Sequence, residues 1–135
     1  MLVPIQTLIV DDSPRSRAGL RALLTTSPDV EVVAEASDGN EAVEQVAQHH
    51  PDVVLMDVRM PGMDGLAATR AIKKLWPQIR VVLLTMYDHY RQEAQAAGAE
   101  AYLIKGCSLD ELLQALGTGD RGLGTGNVSL TQMMG

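Results

Sequence analysis

Short apolar runs alternate along the chain with longer segments in which apolar residues recur every three or four positions. A short run of this kind is typical of a buried strand, whereas the wider spacing is typical of a helix that buries one face. The sequence therefore predicts five strands, at Ile5 to Val10, Val30 to Ala36, Val53 to Met56, Val81 to Leu84 and Ala101 to Ile104. It predicts five helices, at Arg15 to Leu24, Glu41 to His49, Leu66 to Leu75, Tyr90 to Ala97 and Leu109 to Leu116.

Signals at the helix ends support this assignment. Ser108 and Glu111 have the spacing of a capping box, in which each residue satisfies a free N–H group of the first turn. Gly98 is a typical C-terminal stop for the fourth helix. Asp88 is predicted to cap the start of that helix.

Strands that alternate with helices indicate an α/β fold, a doubly wound five-stranded parallel sheet with helices on both faces. The periodic pattern ends at Leu116, and six of the last nineteen residues are Gly. We therefore expect one domain over residues 1–116. We expect residues 117–135 to be a flexible tail or the start of a linker to an output domain that this chain does not carry.

Composition narrows the function. A length of 135 residues suits one domain, and a net charge of −6 disfavours direct binding of nucleic acid by this chain. A single cysteine, Cys107, excludes an internal disulfide and a cysteine-based zinc site. The N-terminus lacks the basic flank of a signal peptide, and no apolar run is long enough for a membrane span. We expect a soluble, cytoplasmic protein that does not act at a membrane.

Polar side chains close four of the predicted strands. Because the carboxyl ends of parallel strands meet at one edge of a sheet, these side chains are expected to lie together where such folds bind ligands. They are Asp11 and Asp12, Asp57, Thr85 and Lys105.

This set of side chains suits a metal and a phosphoryl group. Clustered carboxylates repel one another and need a cation, and oxygen ligands suit Mg²⁺. Asp57 could then act as a nucleophile that forms an aspartyl phosphate, with Lys105 and Thr85 binding phosphoryl oxygens. A simpler alternative stays open, since an Asp at a strand end is often the N-cap of the next helix. Under that alternative Lys105 is a solvated loop lysine and Thr85 an ordinary strand residue.

Four stretches of the chain resemble the receiver domain of two-component response regulators, which have the CheY-like fold. They are LIVDDSP, VVLMDVRMPGMDG, VVLLTM and AYLIKG, and their order and spacing agree from about residue 5 to 116. The stretches LTMYD and KGCSLDELLQAL are more similar to the NarL/FixJ-type branch. Members of that branch commonly carry a C-terminal helix-turn-helix domain that binds DNA.

The resemblance implies a role for each matching residue. Asp57 would be the phosphoacceptor, and Asp11 and Asp12 would hold Mg²⁺ together with Asp57 and the backbone carbonyl of Arg59. Thr85 and Lys105 would bind the phosphoryl oxygens. Thr85 and Tyr102 would be the switch residues.

The same resemblance implies partners. A sensor histidine kinase would donate the phosphoryl group, and phosphorylation would shift a conformational equilibrium and favour a homodimer. The output would be transcription through a DNA-binding domain outside this chain. Whether the chain is a fragment or a stand-alone receiver stays open.

Two positions depart from the family pattern. Gly106 follows Lys105 where many receivers have a proline with a cis bond, so a trans bond is expected here. Met86 follows Thr85 where the family often has a small residue. Its bulk is expected to narrow access to the site and to slow hydrolysis of an aspartyl phosphate.

Two other functions remain as alternatives. One is a phosphatase with an Asp nucleophile, but that chemistry usually needs a second Asp two residues beyond the first, and Asp11 and Asp12 are adjacent. The other is a receiver-like module that binds partners without phosphorylation. The three histidines, His49, His50 and His89, lack the spacing of a metal site.

Overall fold

A computed structural model describes residues 3–118 of the chain. The strands are β1 (Ile5–Val10), β2 (Val30–Ala36), β3 (Val53–Met56), β4 (Arg80–Thr85) and β5 (Ala101–Ile104). The helices are α1 (Pro14–Leu24), α2 (Gly39–His49), α3 (Gly65–Leu75), α4 (Arg91–Ala97) and α5 (Leu109–Leu116). The five strands form one parallel sheet in the order β2-β1-β3-β4-β5, which confirms the predicted fold class.

The helix caps explain where the sequence misplaced helix ends. Ser13, Asp38 and Asp64 each accept a hydrogen bond from a first-turn N–H, so α1, α2 and α3 begin one or two residues before the predicted starts. The prediction that Asp88 caps α4 is wrong. Tyr90 is the N-cap residue and makes no side-chain capping bond, while the carboxylate of Asp88 pairs with Arg91. The predicted capping box of Ser108 is present at α5.

Both faces of the sheet are covered, which is why its strands are apolar along most of their length. One face packs against α2, α3 and α4 and includes the fully buried residues Leu8, Val54 and Leu83. The other packs against α1 and α5, through residues such as Leu24 and Leu112. The two buried clusters hold the sheet between two helical layers.

The strand order places a crevice between β1 and β3. The chain leaves these neighbouring strands toward helices on opposite faces, and such a switch point is where open α/β sheets bind ligands. Val10 pairs with Met56 in register, so Asp11 and Asp57 follow at adjacent strand ends. The N–H of Asp57 donates to the carbonyl of Val10 at 3.0 Å.

The backbone of residues 3–118 tests the expectation for the peptide bond before Gly106. No peptide bond in this range is cis, so the bond between Lys105 and Gly106 is trans, as predicted. Gly106 has φ of 101°, a conformation that favours glycine, and it turns the chain from β5 toward α5. None of the helices in this range has the length and apolar character needed to cross a membrane.

Candidate functional site

Lys105 joins two strand ends at the carboxyl edge of the sheet. Its ammonium lies 2.8 Å from Oδ2 of Asp11 and 3.0 Å from Oδ2 of Asp57. The lysine follows β5, whereas the two carboxylates follow β1 and β3 in the middle of the sheet. The long lysine side chain therefore reaches across the end of β4 to the crevice between β1 and β3.

Asp11 is the most buried carboxylate of the site, with a side chain only 2% exposed. Oδ1 accepts the N–H of Ser13 at 2.9 Å, and Oδ2 accepts the hydroxyl of Ser16 at 2.8 Å as well as Lys105. Burial alone would raise the pKa of Asp11. The hydrogen bonds from Lys105, Ser13 and Ser16 outweigh burial and lower that pKa below the ordinary aspartate value, so Asp11 is ionised.

The same contacts keep the Lys105 side chain protonated. Burial tends to lower the pKa of its ammonium, but the hydrogen bonds to Asp11 and Asp57 outweigh burial and raise it above the ordinary lysine value. The backbone N–H of Lys105 donates to the carbonyl of Thr85 at 2.8 Å, which fixes the start of the lysine side chain beside β4. Lys105 is thus a positioned cation.

Asp57 is held but reachable. Oδ1 accepts the N–H of Val58 at 2.7 Å, Oδ2 accepts Lys105, and the side chain is 11% exposed. The structure gives the helix caps to other residues, since Ser13 caps α1 and Asp64 caps α3. Asp57 and Asp12 are therefore not the N-caps of the following helices, which excludes the capping alternative for these two residues.

Three carboxylates are close enough to share a metal ion. One oxygen each from Asp11, Asp12 and Asp57 lies within 4.8 Å of the others, and Asp12 is exposed. Lys105 supplies one positive charge against three negative charges, so the cluster retains excess negative charge. An oxygen-only donor set of this kind fits a hard dication such as Mg²⁺.

Thr85 lies beside this cluster at the end of β4. The residue is fully buried, and its hydroxyl accepts the N–H of Tyr87 at 3.3 Å. Its backbone carbonyl accepts the N–H of Lys105. The structure therefore places Thr85 at the predicted rim, with its hydroxyl engaged by the loop that leads to α4.

Tyr102 connects β5 to that same loop. Its hydroxyl donates to the carbonyl of Tyr87 and accepts the N–H of Tyr90 at 3.3 Å. The guanidinium of Arg91 lies 4.9 Å from the centre of the Tyr102 ring. The hydroxyls of Thr85 and Tyr102 thus contact the same short loop between β4 and α4.

The side chain of Arg59 contacts two tyrosines of the loop after β4. Its guanidinium lies 5.1 Å from the ring centre of Tyr87, and Nη1 donates to the Tyr90 hydroxyl at 3.4 Å. Arg59 therefore links the loop after β3 to the loop after β4. Met86, in the second loop, is 66% exposed.

Two residues that support the site, Ser16 and Arg17, were not predicted from the sequence. Ser16 contacts both Asp11 and Lys105, the latter at 3.3 Å, and Arg17 donates to the backbone carbonyl of Asp11 at 2.7 Å. Both lie in the first turn of α1, directly after the two acidic residues. Their position was the available signal, but a serine and an arginine there are also ordinary helix-surface residues.

The cysteine and the three histidines lie outside the acidic cluster. Cys107 lines an apolar groove of about 280 Å³ with residues of α1 and α5, and burial followed by the nearby charge of Glu111 raises its pKa. The ring of His89 packs against Tyr87 and Tyr90 in the loop after β4. His49 and His50 lie at the C-terminal end of α2.

Comparison with known proteins identifies the family. The sequence model of the response regulator receiver domain matches residues 7–117. The chain is 39% identical over 114 residues to the transcriptional regulatory protein DegU of Brevibacillus brevis, covering 83% of this chain and 48% of DegU. It is 38% identical to the response regulator VraR of Staphylococcus aureus (strain Mu3 / ATCC 700698), covering 87% of this chain and 57% of VraR. The chain thus spans about half the length of the curated relatives it matches.

A solved structure agrees with this match. The signal receiver domain of the putative response regulator NarL from Mycobacterium tuberculosis superposes with a TM-score of 0.80 at 35% identity, over 85% of this chain and 94% of that one. The sheet order, the clustered strand-end residues and the sequence match lead to one conclusion. The chain belongs to the response regulator receiver domain family, with NarL-type and LuxR-type regulators among its relatives.

Proposed function

We propose that this domain accepts a phosphoryl group on Asp57 and switches conformation in response. The observation that carries the proposal is the position of Lys105, which bridges Asp57 and the buried Asp11 at the sheet edge. A cation held beside a reachable carboxylate suits stabilisation of charge on a phosphoryl group in transfer.

The transfer forms one bond and breaks one bond. An oxygen of the Asp57 carboxylate attacks phosphorus, and the bond from phosphorus to the donor's leaving group breaks. With a phosphohistidine donor, the electron pair of the P–N bond returns to the imidazole nitrogen. With an acyl phosphate donor, it leaves on the carboxylate.

Mg²⁺ is the cation that fits the acidic cluster. Asp11, Asp12 and Asp57, with the backbone carbonyl of Arg59, would hold the ion, which would neutralise part of the charge on the phosphoryl group. Lys105 binds and orients a phosphoryl oxygen from the other side. Asp11 keeps its place through Ser13 and Ser16 while this happens.

Switching follows from the contacts of the loop between β4 and α4. The Thr85 hydroxyl turns toward a phosphoryl oxygen, and its contact with the N–H of Tyr87 changes. The Tyr102 hydroxyl contacts the same loop through Tyr87 and Tyr90, so the loop and Tyr102 rearrange together. Phosphorylation thereby shifts the population between two conformers.

The partners follow from this chemistry. A sensor histidine kinase supplies the phosphoryl group, and the phosphorylated domain forms a homodimer through the surface around α4, Tyr102 and α5. In a full-length protein this dimer controls transcription through a DNA-binding domain. The relatives support this output, since DegU is a transcriptional regulatory protein and a structural neighbour from Staphylococcus aureus is a DNA-binding response regulator.

The proposal is tested by intact mass after incubation with acetyl phosphate. Wild type should gain the mass of one phosphoryl group, and this gain should need Mg²⁺. Asp57→Ala should gain none. Light scattering on the same samples should show a rise in mass toward a dimer only where Asp57 is phosphorylated.

Two results would count against the proposal. Failure of wild type to gain a phosphoryl group, under conditions that modify a known receiver, would reject the phosphoacceptor role. Repeated turnover of a generic phosphomonoester would instead identify a phosphatase.

A further inference from the structure

Ser16 closes a ring of three polar groups at the site. Its hydroxyl donates to Oδ2 of Asp11 at 2.8 Å, and the ammonium of Lys105 lies 3.3 Å from the same hydroxyl. Lys105 also donates to that same Oδ2 of Asp11 at 2.8 Å. One buried carboxylate oxygen therefore has two donors, one charged and one neutral.

The two donors, Lys105 and Ser16, differ in whether they move during the proposed transfer. Lys105 contacts Asp57 and Asp11, which lie 48 and 94 residues before it in the sequence. In the proposed reaction its ammonium turns toward a phosphoryl oxygen when Asp57 is phosphorylated. Ser16 lies in the first turn of α1, which Ser13 caps, so its backbone stays in place. The fixed donor remains when the mobile one leaves.

Without Ser16, the departure of Lys105 would leave Oδ2 of Asp11 with no hydrogen-bond donor from a side chain, even where Mg²⁺ neutralises part of the carboxylate charge. A buried ionised oxygen without a hydrogen-bond partner is strongly unfavourable. The side chain of Asp11 is only 2% exposed, so bulk water reaches it poorly. With Ser16 present, Oδ2 keeps a partner throughout the transfer.

We propose that Ser16 is a positioning residue that keeps Asp11 hydrogen-bonded while Lys105 moves from Asp11 to the phosphoryl group. It acts through Asp11 and Lys105 and does not itself touch the phosphorus. This inference rests on the proposed function, because the movement of Lys105 has meaning only if Asp57 is phosphorylated. Ser16 thereby sets how readily Lys105 becomes available.

The first measurement is the rate of phosphorylation by acetyl phosphate at saturating Mg²⁺, followed by intact mass. Ser16→Ala should react roughly tenfold more slowly, since Lys105 then is the sole side-chain donor to Oδ2 and is retained there. Ser16→Thr, which keeps the hydroxyl, should react within about threefold of wild type. Ser37→Ala is the matched control, because it removes a hydroxyl that donates to Glu41 at 2.8 Å elsewhere at the sheet edge.

A second measurement needs neither metal nor phosphorylation. The urea midpoint is compared for wild type, Ser16→Ala, Lys105→Met and the double variant, all without Mg²⁺. Because both residues donate to one oxygen, the shift caused by Ser16→Ala should be larger in the Lys105→Met background, where Oδ2 loses both side-chain donors.

The outcomes separate the inference from the function on which it rests. If wild type is phosphorylated but Ser16→Ala reacts at the wild-type rate, the inference is overturned and the proposed function stands. A Ser16→Thr variant as slow as Ser16→Ala would also overturn it, because packing and not the hydroxyl would then matter. If wild type itself is not modified, the proposed function fails and the inference fails with it.

Discussion

Single residues of the site are held by several partners each. Asp11 accepts hydrogen bonds from Ser13, Ser16 and Lys105, and Asp57 accepts them from Val58 and Lys105. Such multiple contacts fix the position of each charged atom, and at Asp11 they lower the pKa of the carboxyl below its ordinary value. At this scale the chemistry depends on side chains at the rim, so substitutions there should change the rate of phosphorylation.

Met86 gives the first residue-scale prediction. Its side chain is 66% exposed, so Met86→Ala should cost little stability. If its bulk shields the aspartyl phosphate from water, the phosphoryl half-life should shorten by roughly threefold or more in this variant. The measurement is loss of the phosphoryl group over time by intact mass, and equal half-lives would discard the shielding role.

Cys107 gives the second residue-scale prediction. Burial, followed by the charge of Glu111, raises the pKa of its thiol, so less thiolate is present near neutral pH than in the unfolded chain. Alkylation by iodoacetamide should therefore be slower in the folded protein, and its pH profile should rise at higher pH than in urea. Glu111→Gln should move that profile toward lower pH. A folded-state profile that coincides with the unfolded one would contradict the expectation.

Elements position these residues through close backbone contacts. Helix α3 begins directly against the end of β3, where the N–H of Gly65 donates to the carbonyl of Val58 at 2.8 Å. A Cβ atom at Gly65 would lie 2.1 Å from the carbonyl oxygen of Asp57. This approach is possible only for glycine, and it sets the path of the chain after the phosphoacceptor.

Substitution of Gly65 tests this contact. Gly65→Ala should destabilise the domain by about 1–3 kcal/mol or more, because either α3 or the end of β3 must shift. Gly19→Ala is the matched control, since Gly19 lies within α1 and a Cβ there would meet no atom within 4 Å. That variant should be more stable than wild type by about 0.5–1 kcal/mol. Urea unfolding distinguishes the two, and equal effects would contradict the packing argument.

At the scale of the whole molecule, the two ends of the sheet serve different purposes. The carboxyl edge carries the reactive side chains, while a second polar network ties the opposite end together. There the ammonium of Lys73 donates to Glu100 at 2.6 Å and to the carbonyl of Ile79 at 2.8 Å, and Glu100 accepts the N–H of Val81 at 2.7 Å. This network joins α3, β4 and the turn before β5.

Lys73 should therefore affect stability without affecting chemistry. Lys73→Met should destabilise the domain by about 1–3 kcal/mol, because Glu100 and the Ile79 carbonyl lose a charged donor. Its rate of phosphorylation by acetyl phosphate should equal that of wild type. Lys74→Met, at the exposed neighbouring position, should change stability by less than about 0.5 kcal/mol. A slower phosphorylation of Lys73→Met would show that the two ends are coupled.

The amino-acid sequence by itself determined the elements and the residues at the sheet edge. Buried strands and helices that bury one face leave periodic apolar patterns, so all five strands could be predicted, and β1, β2, β3 and β5 were predicted at their observed bounds. Polar residues at strand ends interrupt these patterns, so Asp57 and Lys105 could be identified as strand-end residues. Helix starts were predicted less well because caps such as Asp38 depend on local backbone geometry.

Only the tertiary structure decided which side chains meet. Lys105 and Asp11 are 94 residues apart, and their contact depends on strand order and on a long side chain crossing the end of β4. Ser16 contacts both residues because the first turn of α1 lies at the same crevice. The apolar pattern of α1 does not predict this placement. The orientation of Arg59 toward Tyr87 likewise depends on two loops meeting. Local patterns record what each segment buries, whereas contacts between distant segments exist only once the sheet has assembled.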